Sequence, residues 1–340
     1  MHLLPPLLDS FALNDPLAYL AIFVGVSLLM LWRLESMLDN GLEGTALGTL
    51  LLPYCSGLGN LIFVWLMVGR RGAENDILTN CLVNNVTNLT LLLGVPALIW
   101  GLQVMPNQAP AGSRGKKPAK AGKAAGTEQK INQLSLLLTL AAVLFFTGAV
   151  WLLGRDGKLN GTEGLMLIGL FFFWQCVQVF DVLKHNVRAK VSFGWRFYLD
   201  GLVVLACAYL MYETIDWLVT WLTHQKGGFI SRDNLGWLSG WLMVLPNAIL
   251  ALYWGWRRRA DVVYASQVGD GHICIPLCLG IFALVKPLPM SGFTNQALAL
   301  LLGSAVVHAA FLTIAGGLPR WAGAGLCLAY GWFVYAGLLA

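Results

Sequence analysis

The sequence predicts an all-α membrane protein with ten transmembrane helices, arranged as two inverted five-helix repeats. Three observations support this prediction. Apolar residues make up 57% of the 340 residues and charged residues only 11%, whereas a soluble protein carries about 25% charged residues. The chain contains ten apolar stretches of roughly 20 residues, the length at which a helix crosses a bilayer. A polar hairpin in the first third of the chain returns, in weaker form, about 186 residues later.

Helix-breaking residues interrupt two of these spans at corresponding places in the two halves. Span 2 contains Pro53 and the Ser-Gly-Leu-Gly run at 56–59, and span 7 contains Pro246. Proline removes a backbone donor, so each helix is a candidate for a break near mid-membrane. Matching interruptions indicate the binding site of a transporter. The ten spans are expected at residues 17–37, 45–68, 76–101, 133–154, 163–183, 197–222, 235–256, 261–285, 294–316 and 320–339.

The distribution of basic residues predicts the topology. With the N-terminus outside, the cytoplasmic connections carry 15 of the 22 Lys and Arg residues, in agreement with the positive-inside rule. Both termini are therefore expected outside, in the plasma (inner) membrane if the protein is bacterial. Because each half has an odd number of spans, the two halves must be inverted relative to each other. No basic segment precedes the first apolar run, so no cleaved signal peptide is expected.

The regions between the spans complete the predicted organisation. The low-complexity linker at 102–132 is rich in Ala, Gly, Pro and Lys and is expected to be a disordered cytoplasmic tether; a regulatory or lipid-contacting arm is the alternative. The seven cysteines are interpreted as small buried hydrophobic residues. The segments are a first half at 1–101 with its hairpin at 45–101, the linker, helices 4 and 5 at 133–183, a basic loop at 184–196, and a second half at 197–340 with its hairpin at 235–285.

Polar residues inside the two hairpins are the candidates for a transport site. Polar side chains at membrane depth are costly and face a cavity or each other, and Asn, Ser and backbone oxygens are ligands for hard cations. Packing between helices is the alternative role for any single Asn. The candidates are Ser56, Asn60, Asn80, Asn84, Asn85 and Asn88 in the first hairpin and Asn247, Ser266 and Asp270 in the second, assisted by carbonyl groups near Gly57 and Val244.

The register between the hairpins is set by their shared Leu-Gly pairs. Aligning these pairs, which begin at Leu93 and Leu279, places Ser266, Asp270 and Cys274 at the positions of Asn80, Asn84 and Asn88. A shift by one residue gives Gln267, Gly271 and Ile275 instead. We favour the first register because it keeps a buried acid on the polar face. Asp270, Asn60 and Asn247 are then the candidate ligands of a metal cation. Weaker candidates, for which a structural role is equally plausible, are Glu213, Asp216, His272 and His308.

These motifs resemble those of the calcium/cation antiporter superfamily, which includes the sodium/calcium exchangers. Its repeats typically read G-[TS]-S-x-P-E, then a basic turn and Asp, then G-N-x-x-G-S-N-x-x-N and a Leu-Gly pair. Asn80, Asn85 and Asn88 match the second motif, with Asn84 where Ser is usual, and Leu245-Pro246 matches part of the first. The resemblance implies ten helices in two inverted halves. It also implies that spans 1 and 6 slide or rock past the hairpins.

This sequence departs from the family at two important positions. The two glutamates that bind the cation in the family are Asn60 and Asn247 here. We therefore predict a secondary cation antiporter with an altered cation site, which transports Na⁺, Ca²⁺ or H⁺ and has no covalent cofactor. The expected partners are the lipid bilayer and the cation, with no nucleic acid. The alternative is a degenerate member that acts as a membrane partner or regulator. An enzyme is not expected, because no carboxylate pair or Ser/His pair occurs at catalytic spacing.

Overall fold

The computed structural model describes residues 15–38, 40, 54–55, 57–105, 120–186 and 194–339. Among these residues, nine helices are long and apolar enough to cross a membrane. A shorter apolar helix, Leu58–Val68, is the described part of span 2, since residues 41–53 and 56 lie outside the described ranges. The predicted all-α membrane fold is confirmed, and the chain is an integral, multi-pass membrane protein.

The helices follow the predicted order of the spans. They are α1 (Pro16–Met37), α2 (Leu58–Val68), α3 (Glu74–Trp100), α4 (Lys120–Leu153), α5 (Gly161–Asn186), α6 (Trp195–His224), α7 (Leu235–Trp256), α8 (Ala260–Val285), α9 (Gly292–Ala315) and α10 (Arg320–Val334). Two short antiparallel ribbons connect some of their ends. In one, β1 (Leu102–Gln103) pairs with β4 (Gly317–Leu318); in the other, β2 (Lys158–Leu159) pairs with β3 (Leu288–Pro289).

Local sequence explains where several helices begin. The Asp15 carboxylate accepts hydrogen bonds from the backbone N–H groups of Leu17 and Ala18 at 2.8 and 3.0 Å, and Pro16 occupies the first helical position. An acidic cap followed by proline is a favourable start for a helix, because both satisfy or remove unpaired backbone donors. The Ser291 hydroxyl caps α9 in the same way, by accepting from the Thr294 N–H at 3.2 Å.

Both repeat helices contain a π-helical turn at the same place, directly before their Leu-Gly pair. In α3 the turn covers Thr87–Leu92, and in α8 it covers Cys274–Cys278. Each turn ends immediately before a Leu-Gly pair. These pairs begin at Leu93 in α3 and at Leu279 in α8. This correspondence supports the register that the Leu-Gly pairs predict. Single π-turns of this kind occur frequently at functional sites.

The segments outside the spans differ in part from the prediction. Within the linker at 102–132, β1 occupies the first two residues and α4 begins at Lys120, thirteen residues before the start expected for span 4. Residues 106–119 lie outside the described ranges, as do residues 187–193 of the basic loop at 184–196. The orientation of the termini stays a prediction.

Contacts divide the chain into two compact units. Unit 1 comprises Met1–Val83, Leu153–Pro246 and His272–Met290, and unit 2 comprises Asn84–Leu152, Asn247–Gly271 and Ser291–Ala340. Each of α3, α7 and α8 therefore contributes one part to each unit. In unit 1, α1 packs along α6, where the buried ring of Tyr19 stacks on Trp217 with 3.9 Å between ring centroids. Arg33 pairs with the buried Asp200 of α6 at 3.3 Å.

Close packing in unit 2 depends on glycine. The second part of α3 packs against α10, and a Cβ atom added at Gly323 would lie 2.7 Å from the Gly94 carbonyl oxygen. Because real Cβ atoms do not approach so closely, α10 requires glycine at this position, and a Cβ atom added at Gly94 would lie a tight 3.0 Å from the Gly323 carbonyl oxygen. Next to this crossing, the Thr87 hydroxyl donates to the Tyr330 hydroxyl at 3.2 Å.

Candidate functional site

Unit 2 contains a buried carboxylate that two asparagine side chains contact. Asp270 is 2% exposed, and its Oδ2 accepts hydrogen bonds from the Nδ2 groups of Asn88, at 3.2 Å, and Asn247. The same Asn88 Nδ2 donates to Asn84 Oδ1 at 3.1 Å. Both amides are neutral, so they lower the cost of burying the carboxylate without cancelling its charge.

Helix geometry explains why these four residues meet. Asn84 and Asn88 are four residues apart on α3 and therefore share one face. Asn247 and Asp270 come from α7 and α8, the two arms of the second hairpin. Asp270 lies at a short interruption of α8, between the α-helical segments Ala260–Gly269 and Gly271–Ile273. The predicted meeting of the polar faces of the two hairpins thus occurs in unit 2 at Asn84, Asn88, Asn247 and Asp270.

Gln267, which the favoured register left out, belongs to the same network. It is 1% exposed, and its Nε2 donates to the Asn247 backbone carbonyl at 3.3 Å and to Ser266 Oγ at 2.9 Å. Ser266 itself is only partly buried, and its hydroxyl donates within α8 to the Val263 carbonyl at 3.1 Å. The favoured register includes Asp270 and the alternative register includes Gln267, so the network contains residues of both.

Two amide oxygens of this network are buried acceptors. Among the described residues, Asn88 Oδ1 and Gln267 Oε1 have no hydrogen-bond partner. A buried acceptor without a partner costs about 1–3 kcal/mol, and a cation would relieve that cost. Asn85 is also buried, and its Oδ1 lies 3.1 Å from the position that a Cβ atom on Gly271 would take. Glycine at 271 thus leaves room for the Asn85 side chain.

The remaining asparagines of the first hairpin belong to unit 1. Asn80 is fully buried and donates to Ser239 Oγ at 3.0 Å, and the Ser239 hydroxyl donates to the Gly236 carbonyl at 3.2 Å. This is a packing contact between α3 and α7. Asn60 is 2% exposed and lies in the first turn of α2. Ser56, the other candidate of span 2, lies outside the described residues.

The expected break at Pro246 is absent, because α7 continues through it from Leu235 to Trp256. Proline lacks the N–H that would bond four residues back. The carbonyl that loses this helical partner is that of Leu242, two residues before Val244, and the assistance of carbonyl groups near Val244 stays a prediction. In span 2 the helix begins at Leu58, with Gly57 as its N-cap.

The weaker candidates separate into two groups. His308 is fully buried in unit 2, where its ring nitrogen atoms contact the Leu89 carbonyl and the Tyr264 hydroxyl. The others belong to unit 1. His272 packs edge-on against Trp174, Asp216 lies 4.0 Å from Arg70, and Glu213 is buried in α6.

The described residues contain no group of three or more His, Cys, Asp and Glu side chains placed to hold a metal ion. A cation held at Asp270 would therefore depend on amide and backbone oxygens. The alternative register of the second hairpin placed Gln267 opposite the asparagines of α3, so this residue could have been found from the sequence. The contacts of Tyr264 and His308 have no local sequence signal, because they join residues 44 positions apart.

The fold is that of a cation transporter with inverted repeats. The sodium-calcium exchanger NCX_Mj, soaked with Na⁺ and Sr²⁺, superimposes with a TM-score of 0.63 at 17% identity, covering 96% of this chain and 97% of that one. The H⁺/Ca²⁺ exchanger CAX superimposes with a TM-score of 0.68 at 15% identity, covering 98% of this chain and 86% of that one. No curated protein sequence matches the chain.

Sequence comparison points to the same class. The sequence model of the sodium/calcium exchanger protein family matches residues 17–180, which include the whole first hairpin. Residues 17–180 thus match the sodium/calcium exchanger family, and the whole chain has the fold of the two exchangers. The predicted resemblance is thereby confirmed for the first hairpin, which the family model covers, and the matching family is one of cation exchangers.

Proposed function

We propose that this protein is a secondary antiporter whose site at Asp270 takes a monovalent cation, Na⁺ or H⁺. The observation that supports this proposal is the Asp270 network: a single carboxylate surrounded by amide groups, two of which retain buried oxygen acceptors. The structural relatives are described as exchangers of Na⁺, H⁺ and Ca²⁺, and the single carboxylate of the network favours a monovalent ion among these.

Charge count argues against Ca²⁺ at this position. Calcium takes six to eight oxygen ligands, and its affinity depends on the number of carboxylates among them. Asn247 stands where the family has its second glutamate, and it donates an N–H to Asp270 instead of offering a charged oxygen. One ionised carboxylate balances one positive charge. The proposed ligands of that cation are Asp270, Asn88 and Gln267, with Asn84, Asn85 and Asn247 orienting them.

Asn60 and Asn80 have separate roles in the proposal. Asn80 holds α3 against α7 through Ser239, so we assign it to packing. Asn60 lies in the first turn of α2 with its side chain buried, and its contribution to binding is tested separately. The helices α1 and α6 would move together during transport, since the Tyr19–Trp217 stack and the Arg33–Asp200 pair join them within unit 1.

The test is isotope flux into proteoliposomes that contain the purified protein. Wild type should exchange ²²Na⁺ against an opposed Na⁺ or H⁺ gradient, and Asp270→Asn should reduce this flux at least tenfold, because the carboxylate charge is lost. The matched control is Asp233→Asn, the same chemical change at an exposed acid outside the network. Asn60→Ala measures the contribution of α2.

Three results would overturn parts of this proposal. Unchanged flux in Asp270→Asn would remove the site. Saturable ⁴⁵Ca²⁺ uptake at micromolar concentration that depends on Asp270 would remove the monovalent assignment. If the folded wild-type protein carries no cation under any gradient, the antiporter is replaced by the alternative, a membrane partner or regulator that has lost transport with its glutamates.

A further inference from the structure

A buried histidine connects the two helices that supply Asn88 and Asp270. His308 of α9 and Tyr264 of α8 are both fully buried in unit 2. The His308 Nε2 lies 2.7 Å from the Leu89 carbonyl oxygen, and its Nδ1 lies 3.1 Å from the Tyr264 hydroxyl. The two rings meet edge to face, with 5.4 Å between centroids and 88° between planes.

The partners determine the hydrogen positions. A backbone carbonyl only accepts, so Nε2 carries the hydrogen and donates to Leu89. Burying an imidazolium would be costly, so the ring is neutral and its Nδ1 accepts from the Tyr264 hydroxyl. In this tautomer every polar atom of the pair is satisfied. The bridge is therefore a directed chain of two hydrogen bonds, from Tyr264 through His308 to Leu89.

Both ends of this chain lie next to the Asp270 network. Leu89 follows Asn88 directly in the π-helical turn Thr87–Leu92 of α3. Tyr264 precedes Asp270 on α8 by less than two helical turns. Because π-turns are intrinsically unfavourable, an external donor to the Leu89 carbonyl helps to hold the backbone that presents Asn88. The bridge and the 3.2 Å contact between Asn88 and Asp270 thus join the same two helices.

We propose that His308 and Tyr264 are positioning residues for the cation site: they hold the π-turn of α3 so that the Asn88 amide faces Asp270. This inference rests on the proposed function. Loss of the bridge should weaken cation binding while the helices still assemble. Residues that orient the ligands of a metal typically change its affinity by about 10–100-fold when they are removed.

The first experiment measures the concentration of Na⁺ that half-saturates ²²Na⁺ uptake, together with the maximal rate. His308→Leu should raise the half-saturating concentration about tenfold, with the maximal rate within twofold of wild type. His308→Gln, whose amide offers N–H donors and an acceptor oxygen, should restore most of the affinity. Tyr264→Phe keeps the ring and deletes only the hydroxyl, so it should give a smaller shift in the same direction. Thr313→Val, at an exposed position of α9 with only a local hydrogen bond, should behave as wild type.

A double-mutant cycle separates positioning from general stability. If His308 acts through Asn88, adding His308→Leu to Asn88→Ala should cause little further loss of affinity. The inference would be overturned if the losses of affinity in His308→Leu and Asn88→Ala were fully additive. It would also be overturned if the half-saturating Na⁺ concentration stayed at the wild-type value in both His308→Leu and Tyr264→Phe. If His308→Leu does not fold, as judged by its melting temperature in detergent, the same cycle with Tyr264→Phe decides.

Asp270→Asn distinguishes the positioning role of His308 and Tyr264 from the proposed cation site. Flux that is lost in Asp270→Asn but unaffected by His308→Leu and Tyr264→Phe would overturn only the positioning role. Flux that Asp270→Asn leaves unchanged would overturn the proposed site, and the positioning role with it.

Discussion

The two units repeat one plan and differ in the chemistry of their interiors. In unit 2, the end of α3 packs against α10 where Gly94 and Gly323 approach; in unit 1, the end of α8 packs against α5 where Gly280 and Gly164 approach. In both cases a two-stranded ribbon follows, since β1 pairs with β4 in unit 2 and β3 with β2 in unit 1. The repeat is therefore visible in the packing within each unit as well as in the sequence.

The difference appears at one corresponding position. Asn88, the second residue of the π-turn of α3, corresponds to Cys274, the first residue of the π-turn of α8. In unit 2 the asparagine contacts a carboxylate. In unit 1 the cysteine lies within hydrogen-bonding distance of other thiols, in a fully buried cluster of Cys81, Cys274 and Cys278. One backbone plan thus supports a polar site in one unit and a soft, apolar core in the other, as expected when function lies in a few side chains.

Removing the Asn88 side chain should have the largest effect on Na⁺ affinity. Asn88→Ala removes a hydrogen bond to a buried carboxylate, an interaction that contributes about 1.5–3 kcal/mol, so the half-saturating Na⁺ concentration should rise about 10–100-fold. Cys274→Ala, its counterpart in unit 1, should leave that concentration within twofold of wild type. Uptake assays on the two variants compare the units directly. Equal losses would mean that the thiol cluster also serves transport.

The glycine contacts should be equivalent in the two units. Gly323→Ala and Gly280→Ala would place a Cβ atom 2.7 and 2.9 Å from a facing carbonyl oxygen, and overpacking of this kind costs about 1–3 kcal/mol. Both variants should therefore melt at lower temperature in detergent. Gly325→Ala, on the same helix as Gly323 but with no heavy atom within 4 Å of the added Cβ, is the control. If Gly280→Ala melts like the control, the packing of the units is not equivalent.

The thiol cluster should affect stability alone. Cys81 is fully buried and behaves as a small hydrophobic residue. Replacing it with Ala should lower the free energy of unfolding by about 1 kcal/mol, and the half-saturating Na⁺ concentration should not change. Thermal unfolding and ²²Na⁺ uptake on the same preparation test both statements. A shift in cation affinity without loss of stability would contradict this assignment.

The packing asparagine of unit 1 should have the smallest effect. Hydrogen bonds between membrane helices contribute about 0.6 kcal/mol on average, so Asn80→Ala and Ser239→Ala should each lower the melting temperature only slightly. Because the two side chains share one hydrogen bond of 3.0 Å, the double variant should resemble the single variants. A large drop in Na⁺ uptake in Asn80→Ala would place this residue in the site and remove the contrast with Asn88.

Much of the fold could be predicted from the sequence because a bilayer restricts the choices. An apolar stretch of about 20 residues forms a helix since lipid cannot satisfy backbone polar groups, and an odd number of spans in each half requires inversion. The Leu-Gly pairs identified the repeat correctly, as the π-turns before Leu93 and Leu279 show. Helix ends were less certain: α4 begins at Lys120 instead of residue 133, in a segment whose composition has no apolar period.

Part of the site could also be predicted. The polar faces of Asn84, Asn88 and Asp270 follow from helical spacing and from the cost of polar groups in lipid. Each register assigned only one of Gln267 and Asp270 to the polar face, although residues three positions apart are neighbours on a helix, and both belong to the network. The expected break of α7 at Pro246 was wrong, since proline weakens a helix locally but packing can keep it continuous.

By itself, the sequence determined the membrane environment, the order of the spans, the repeat of the hairpin and the residues too polar to face lipid, because each of these depends on composition and spacing along the chain. Only the tertiary structure decided which polar residues meet. It separated Asn80, which packs on Ser239, from Asn88, which contacts Asp270, and it joined His308 to Leu89 across 219 positions of the chain. Such contacts depend on how distant helices pack, and no local pattern in the sequence records that packing.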